Sequence, residues 1–294
     1  MNGIKLRYYF INIIGILISA ALFINDYKRI GDAFRFRGIG HFLIIAITVI
    51  IVHIIKAGRL YLALYGSDIT FKLYLKVYCK VIPVSMIIPY KLGEFFRMYC
   101  YGYTLNNMVK GIVIVILDRF MDTIALMTMI LLIWIFNGGH ITSLVYILMI
   151  FLILALIVYF VFPGVYNFWK HYMLRARATE QKLSILKMLN TLNHVYEEIQ
   201  GVSKGRGIIL YFMSLIAWGV EIGGVLLQVG IFSNTDISKG ISDYLSSAMG
   251  GNLSDELELF VFASIILMIA IYFGVKISEG LPVRRVRNEN NSNI

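Results

Sequence analysis

Two short stretches of this sequence place ionisable residues in a chain that is otherwise largely apolar. In the first, Lys91, Glu94 and Arg97 follow Pro89 at intervals of three residues, which puts them along one side of a helix. Ammonium and guanidinium groups bind phosphate, and a nearby carboxylate can orient them. Gly93 has no side chain, so another backbone or a lipid headgroup can come close. We therefore predict an anion-binding surface here, with Lys91 and Arg97 as the phosphate ligands and Glu94 orienting Arg97.

The second stretch is Asp118-Arg119-Phe120-Met121-Asp122, inside an apolar run. Asp118 and Asp122 share a helix face, and Arg119 can reach Asp122 three residues on. Two carboxylates facing lipid would be very unfavourable, so this face must look into the protein. The trio carries a net charge of −1, and we expect its partner to be Lys91 or Arg97. The alternative is that Glu94 and Arg97 only neutralise each other locally.

Two further positions are candidates for the same site. Arg59 lies near one helix face with His53 and Lys56, at intervals of three residues. These basic residues either extend to the membrane interface as anchors or bind phosphate. Glu221 lies inside the fifth apolar run, so it is either a functional residue or a neutral side chain hydrogen-bonded to a neighbouring helix.

The composition shows what must position these residues. The chain of 294 residues is 59% hydrophobic and 15% charged, with a mean hydropathy of +0.77, values that exclude an ordinary soluble domain. We predict an all-α fold, a polytopic bundle of about six transmembrane helices with an uncleaved first span. The predicted spans are near residues 9–25, 40–56, 111–136, 143–162, 207–232 and 259–277.

One segment between the spans predicts a re-entrant hairpin. Lys72, Lys76 and Lys80 form a basic stripe on an apolar helix, which is typical of a helix in the membrane interface. The apolar run 81–89 that follows is too short to span and is bracketed by prolines, which interrupt helical hydrogen bonding. A hairpin that enters and leaves by the same face fits both facts. Residues 233–258 are either an external loop or a second shallow re-entry.

Basic residues beside the spans predict the topology. Lys5 and Arg7 favour a cytoplasmic N-terminus, and residues 26–38 are then an outside loop. The fourth span is expected to end at Pro163. We expect a multi-pass protein of the plasma membrane with both termini in the cytoplasm. The expected organisation is one membrane domain at 1–280, containing a cytoplasmic amphipathic insertion at 165–206, and a disordered cytoplasmic tail at 281–294.

Several function classes are disfavoured. The net charge of +10 arises mainly beside the spans, where lipid headgroups and topology account for it, so nucleic acid is not an expected partner. Two cysteines and five scattered histidines give no metal-ligand spacing. The sequence offers no nucleophile–base pair and no nucleotide-binding loop. We expect no catalytic residues, no metal and no cofactor, and hence not an enzyme.

The charged motifs resemble those of the lysylphosphatidylglycerol synthase transmembrane-region family. Pro89-x-Lys91-x-Gly93-Glu94-x-x-Arg97 is similar to that family's P-x-R-x-G-E-x-x-R, and Asp118-Arg119-x-x-Asp122 is similar to its E-R-x-x-D. Trp218-x-x-Glu221 is a third, weaker likeness. The family's P-G-G-x-G-x-x-E motif has only Met249-Gly250-Gly251 as a counterpart. We expect no soluble aminoacyltransferase domain after the last span.

The resemblance implies a flippase-like membrane domain that binds a lipid headgroup and moves a phospholipid or lipid-linked sugar between leaflets. Such a protein would be accessory to lipid modification or surface glycan synthesis, with a membrane synthase or glycosyltransferase as a possible partner. Two alternatives stay open. The protein is a non-catalytic scaffold for a separately encoded synthase, or it is a membrane component of a phosphatidylglycerol lysyltransferase-type enzyme. The oligomeric state does not follow from the sequence.

Overall fold

The fold is a bundle of helices. The computed structural model describes residues 2–35, 39–88, 92–137, 143–175, 180–232, 244 and 255–280, and the regular elements within these ranges are all helical. This confirms the all-α prediction. The helices are α1 (Asn2–Arg35), α2 (Ile39–Ala63), α3 (Phe71–Ile87), α4 (Leu92–Thr104), α5 (Met108–Asn137), α6 (Ser143–Arg175), α7 (Glu180–Ser203), α8 (Gly207–Phe232) and α9 (Asp255–Gly280).

Five helices in the described part of the chain are long and apolar enough to cross a membrane, so this is a multi-pass membrane protein. The remaining predicted span, 111–136, falls in α5, whose 30 residues are also more than the roughly 20 needed to cross a bilayer core. Its apolar sequence is interrupted by three charged residues, Asp118, Arg119 and Asp122. The five apolar spans are Leu6–Ile24, Gly40–Ala63, Val145–Arg175, Gly207–Gln228 and Leu257–Ser278.

The predicted hairpin is a pair of short helices that pack on each other. With 17 and 13 residues, α3 and α4 are each shorter than the roughly 20 residues of a typical membrane span. Thr70 caps the start of α3 by accepting a hydrogen bond from the backbone N–H of Leu73, at 3.4 Å. Gly93 allows the close approach of the two helices, because a Cβ there would clash with the backbone of Ser85. The hairpin also packs against α9, α1 and α5.

The lysine stripe becomes less exposed from Lys72 to Lys80, and its place in the membrane interface stays a prediction. Tyr74 and Tyr78, on the same helix, are buried, and Lys80 Nζ donates a hydrogen bond to Tyr8 Oη of α1 at 2.7 Å. Lys72 is the exposed member of the stripe. Packing of α3 between other helices therefore draws the end of the stripe into the bundle.

Three predicted helix ends are wrong. Pro83 lies inside α3 and Pro163 lies inside α6, which continues to Arg175. A proline removes one helical hydrogen bond, but helices in membrane proteins tolerate it where neighbouring groups compensate. The first helix likewise continues to Arg35, well past the predicted loop start at residue 26. The edge of an apolar run marks where hydrocarbon ends, and a helix can extend beyond it.

The amphipathic insertion contains α7, which packs on α5 and α6. Tyr166 Oη donates a hydrogen bond to Asn190 Oδ1 at 3.1 Å, and Asn107 Nδ2 donates to Glu198 Oε1 at 3.3 Å. Hydrogen bonds therefore attach α7 to α6 at Asn190 and to the residue before α5 at Glu198. The proposed tail at 281–294 and most of 233–258 lie outside the described residues.

Candidate functional site

Asp118 lies at the centre of a buried ionic network. Arg59 of α2 donates to its Oδ1 through Nε at 3.0 Å and Nη2 at 2.6 Å. Arg97 of α4 donates to Oδ2 through Nη2 at 2.7 Å. All three side chains are almost completely buried. One carboxylate of α5 therefore joins two guanidinium groups from two other helices, and one of these, Arg97, is a partner that the sequence predicted.

Asp122, one helical turn further on, also binds Arg59. Its Oδ1 accepts a hydrogen bond from Arg59 Nη1 at 2.8 Å. The same Nη1 donates to Ser214 Oγ of α8, and Trp218 Nε1 donates to the backbone oxygen of Asp122 at 3.2 Å. The interface-anchor interpretation of Arg59 is therefore wrong, since this side chain is turned inward and 2% of the residue is exposed.

Glu94 connects the interior of the network to its edge. One carboxylate oxygen lies 3.5 Å from Arg97 Nη1, and the other lies 3.2 Å from Arg119 Nε. The Arg119 side chain is 48% exposed, whereas that of Arg97 is 1% exposed. Arg119 thus pairs across helices with Glu94. The spacing had suggested Asp122 as its partner, but the described ion pair of Asp122 is with Arg59.

Glu221 of α8 belongs to an adjoining part of the network. Its Oε2 accepts a hydrogen bond from Lys56 Nζ at 3.0 Å, and its Oε1 accepts one from Tyr244 Oη. Lys56 Nζ also lies 5.4 Å from the centre of the Trp218 ring. Because Trp218 touches both Lys56 and the backbone of Asp122, it joins the two halves of the site.

The face formed by His53, Lys56 and Arg59 turns into the protein. His53 Nδ1 lies 3.2 Å from Tyr78 Oη of α3, while the other two side chains form the ion pairs described above. The spacing identified this face correctly. Lys56 was predicted to be either an interface anchor or a phosphate ligand, and Ser214 was not predicted. The sequence feature that pointed to Lys56 was its position one turn before Arg59. No sequence feature pointed to Ser214.

The described ion pairs of the network balance in charge. Four cations meet four carboxylates, so their formal charges sum to zero. Buried charges in a membrane protein are otherwise very costly, and mutual pairing is the usual way to retain them. The members are Lys56, Arg59, Arg97 and Arg119 with Glu94, Asp118, Asp122 and Glu221.

Two buried polar atoms beside the centre of this network have no hydrogen-bond partner within the described part of the chain. They are Arg97 Nε and Tyr101 Oη, both on α4. An unsatisfied buried donor carries a free-energy cost of about 1–3 kcal/mol, so such atoms mark places where a ligand or water can bind favourably. Arg97 therefore has a donor to spare after binding Asp118 and Glu94.

The structure brings six predicted residues into one continuous network, and Glu221 adjoins it through Lys56 and Trp218. Gly93 allows close contact with a backbone, that of Ser85, where a Cβ would also lie 2.9 Å from Val84 O. Pro89 and Lys91 lie outside the described residues. The six are Arg59, Glu94, Arg97, Asp118, Arg119 and Asp122.

Comparison with known proteins places these residues in a family. The model of the lysylphosphatidylglycerol synthase TM region matches residues 12–241, well over half of the chain. The matched range holds every network member from Lys56 to Glu221. No curated protein and no solved structure matches the chain. This multi-pass protein belongs to the lysylphosphatidylglycerol synthase transmembrane-region family, a family of membrane domains related to lipid modification.

Proposed function

We propose that this protein binds the phosphate group of a membrane lipid at the ionic network and moves that lipid between leaflets. The lipid is a phospholipid or a lipid-linked sugar, and the protein serves lipid modification or surface glycan synthesis in the plasma membrane. A membrane synthase or glycosyltransferase is the expected partner.

The observation that carries the proposal is the sharing of Asp118 by two buried arginines. Arg59 and Arg97 hold one carboxylate between them, each through charge-assisted hydrogen bonds. Guanidinium groups match phosphate as well as carboxylate in geometry. A lipid phosphate that displaced Asp118 from Arg97 would keep that arginine paired, and Arg97 Nε offers it a further donor.

The exposure of the network suggests the order of contacts. Arg119 is the half-exposed cation, so an approaching anionic headgroup meets it before the buried arginines. Binding there competes with Glu94, which also contacts Arg97. Breaking the Glu94 pairs would open the way to Arg97. Because the described pairs already balance, a bound phosphate adds negative charge that a further cation must offset, and Lys91 is the residue proposed for this.

The short helices suggest how movement takes place. Transporters commonly place their binding groups on interrupted helices near the middle of the bilayer, where one part of the protein rocks against another. Here α4 brings Glu94 and Arg97 to α5, while α2 and α8 hold the other side of the network. Movement of the hairpin relative to α2 and α8 would expose the site to one leaflet and then to the other.

Lipid retention tests the binding step. We expect Arg97→Gln to reduce the phospholipid that remains with the purified protein, measured by mass spectrometry of extracted lipids. Arg97→Lys keeps the charge and should retain part of the binding. Arg7→Gln removes an exposed arginine outside the network and is the matched control. Folded Arg97→Gln protein with the wild-type lipid content would overturn the binding proposal.

Movement between leaflets needs a separate measurement. In vesicles containing headgroup-labelled phospholipid, wild-type protein should speed loss of fluorescence when a membrane-impermeant quencher is added. Arg97→Gln combined with Asp122→Asn should abolish this gain. An unchanged rate in the inserted double variant excludes translocation through this site. If apolar residues of similar size preserve function in cells, the scaffold alternative replaces the proposal.

A further inference from the structure

An apolar crevice lies between α2 and α9. Its volume is about 350 Å³, within the range of small ligand sites. The described residues that line it are all apolar, and small alanines on both helices make room for it. Its walls include Phe42, Ala46 and Ile50 of α2 and Phe262, Ala263 and Ala270 of α9.

The surroundings of the crevice determine what can fill it. Both walls belong to apolar spans, so the exposed side of the crevice faces hydrocarbon. The described side chains along the walls offer water no hydrogen bond. An empty crevice would forfeit dispersion contacts along both walls. A hydrocarbon chain is therefore the occupant that the chemistry of the walls favours.

One wall of the crevice leads directly to the ionic network. Along α2, Ala46 and Val49 line the crevice, and His53 and Lys56 follow on the same face at intervals of three or four residues. At about 1.5 Å per residue, Lys56 lies roughly 9 Å beyond Ile50 along the helix. A lipid bound by its phosphate beside Lys56 can therefore lay a chain along the crevice.

The walls are held in place by packing on their other sides. Ile45 and Val49 form a buried cluster with Leu259 and Phe260, which fixes α2 against α9. The ring of Phe262 stacks on that of Phe23 of α1, with centroids 5.8 Å apart. The crevice is thus a formed feature of the bundle.

We propose that this crevice holds an acyl chain of the lipid whose phosphate binds the ionic network. The inference rests on the proposed function and narrows its substrate class to acyl lipids. From Phe42 to Ile50 the crevice extends about 12 Å along α2, close to the roughly 15 Å of hydrocarbon in one leaflet. That length suits one acyl chain, whereas a polyprenyl chain is far longer.

Photolabelling of the wild-type protein in vesicles tests the crevice directly. The probe is phosphatidylglycerol with a diazirine in the middle of one acyl chain, and labelled peptides are mapped by mass spectrometry. We expect labels concentrated on residues 42–50 of α2 and 262–270 of α9. Labels spread equally over the exposed faces of other helices, α6 included, would overturn the proposal.

Filling the crevice provides the second measurement. Ala46→Phe with Ala263→Phe should reduce the crevice label to background, and Ala270→Phe alone should reduce it in part. Ala21→Phe places the same bulk on an exposed position of α1 outside the crevice and should leave the label unchanged. Persistence of the label in a folded filled variant would contradict the proposal.

Two further probes separate this inference from the proposed function. A diazirine diacylglycerol without phosphate should label the crevice weakly, as should the phospholipid probe with Arg97→Gln. Equal labelling in these cases overturns the link to the headgroup site. A polyprenyl phosphate probe that labels better than phosphatidylglycerol overturns the acyl assignment. If Arg97 governs phospholipid retention while crevice labels are absent, the proposed function stands and the crevice inference fails.

Discussion

The helices that carry the ionic network are packed closely inside the protein, whereas helix α6 is mostly exposed at its outer surface. In the span of α8, 44% of the residues are buried inside the protein, whereas in the span of α6 only 11% are. An added Cβ at Gly224 of α8 would lie 2.5 Å from Thr48 Oγ1 of α2, but one at Gly164 of α6 would have no atom within 4 Å. The first region is closely packed, and the second presents apolar side chains to lipid.

This difference shows why the ionic network lies where it does. A charge in hydrocarbon is costly unless its partners surround it, and partners from several helices can surround it only where those helices approach closely. Gly93, Gly111 and Gly224 permit such approaches around the network. Within the described residues, little of the α6 span is buried, so few neighbours surround it.

Loss of the central carboxylate should have the largest effect. Asp118→Asn leaves Arg59 and Arg97 as buried cations with fewer partners, and we expect a loss of about 3–5 kcal/mol in unfolding free energy. Asp68→Asn changes an exposed residue between α2 and α3 and is the matched control. Unfolding in mixed detergent micelles measures both. Similar small losses for the two variants would mean that the buried region gains nothing from its ion pairs.

A smaller effect is expected from added bulk at a close helix crossing. Gly111→Ala places a methyl group against the backbone of Gly102 and 3.0 Å from Met98 O, where no side chain can move aside. Overpacking of this kind typically costs about 1–3 kcal/mol. The same unfolding measurement checks it, with lipid retention as a second readout. An unchanged stability would show that α4 and α5 can separate without cost.

The sequence predicted the acidic face of the site better than its basic one. Asp118 and Asp122 could be placed toward the interior because two carboxylates four residues apart cannot face lipid. Arg59 was ambiguous, since a basic residue near the end of a span serves equally as an interface anchor or a buried partner. Only the packing of α2 against α5 and α8 distinguishes these roles, and that packing depends on residues far apart in the chain.

Helix existence was likewise easier to predict than helix ends. The apolar runs located five spans and the charged α5, because membrane thickness fixes the length that such a run needs. Pro83 and Pro163 were expected to interrupt helices, yet both lie within them. A proline supplies only a local tendency to break, because it removes one helical hydrogen bond, whereas the membrane favours a helix that satisfies all the other backbone groups.

On the lipid-facing helix α6, one substitution should increase the stability of the protein. Gly164→Ala adds a methyl group to α6 where there is space, so the change should stabilise the protein by about 0.5–1 kcal/mol through the lower backbone entropy of alanine in the unfolded chain. Gly111→Ala is the matched comparison, because the same substitution there should lower the unfolding free energy. A loss at Gly164 would reveal a neighbour of α6, such as a second protein in the membrane.

A substitution of Arg119, at the edge of the network, should affect lipid binding but hardly affect stability. Arg119 is half-exposed and contacts Glu94 alone among the described ion pairs, so Arg119→Gln should change the unfolding free energy by only about 0–1 kcal/mol. If this cation meets the lipid headgroup first, phospholipid retention should nevertheless fall, and it should fall more at high salt, where screening weakens the remaining long-range attraction. Arg119→Lys keeps the charge and should restore retention. If Arg119→Gln protein retained as much phospholipid as the wild type, Arg119 would not be the first contact of the headgroup. A residue that contributes little to stability and nothing to lipid binding has no part in the site.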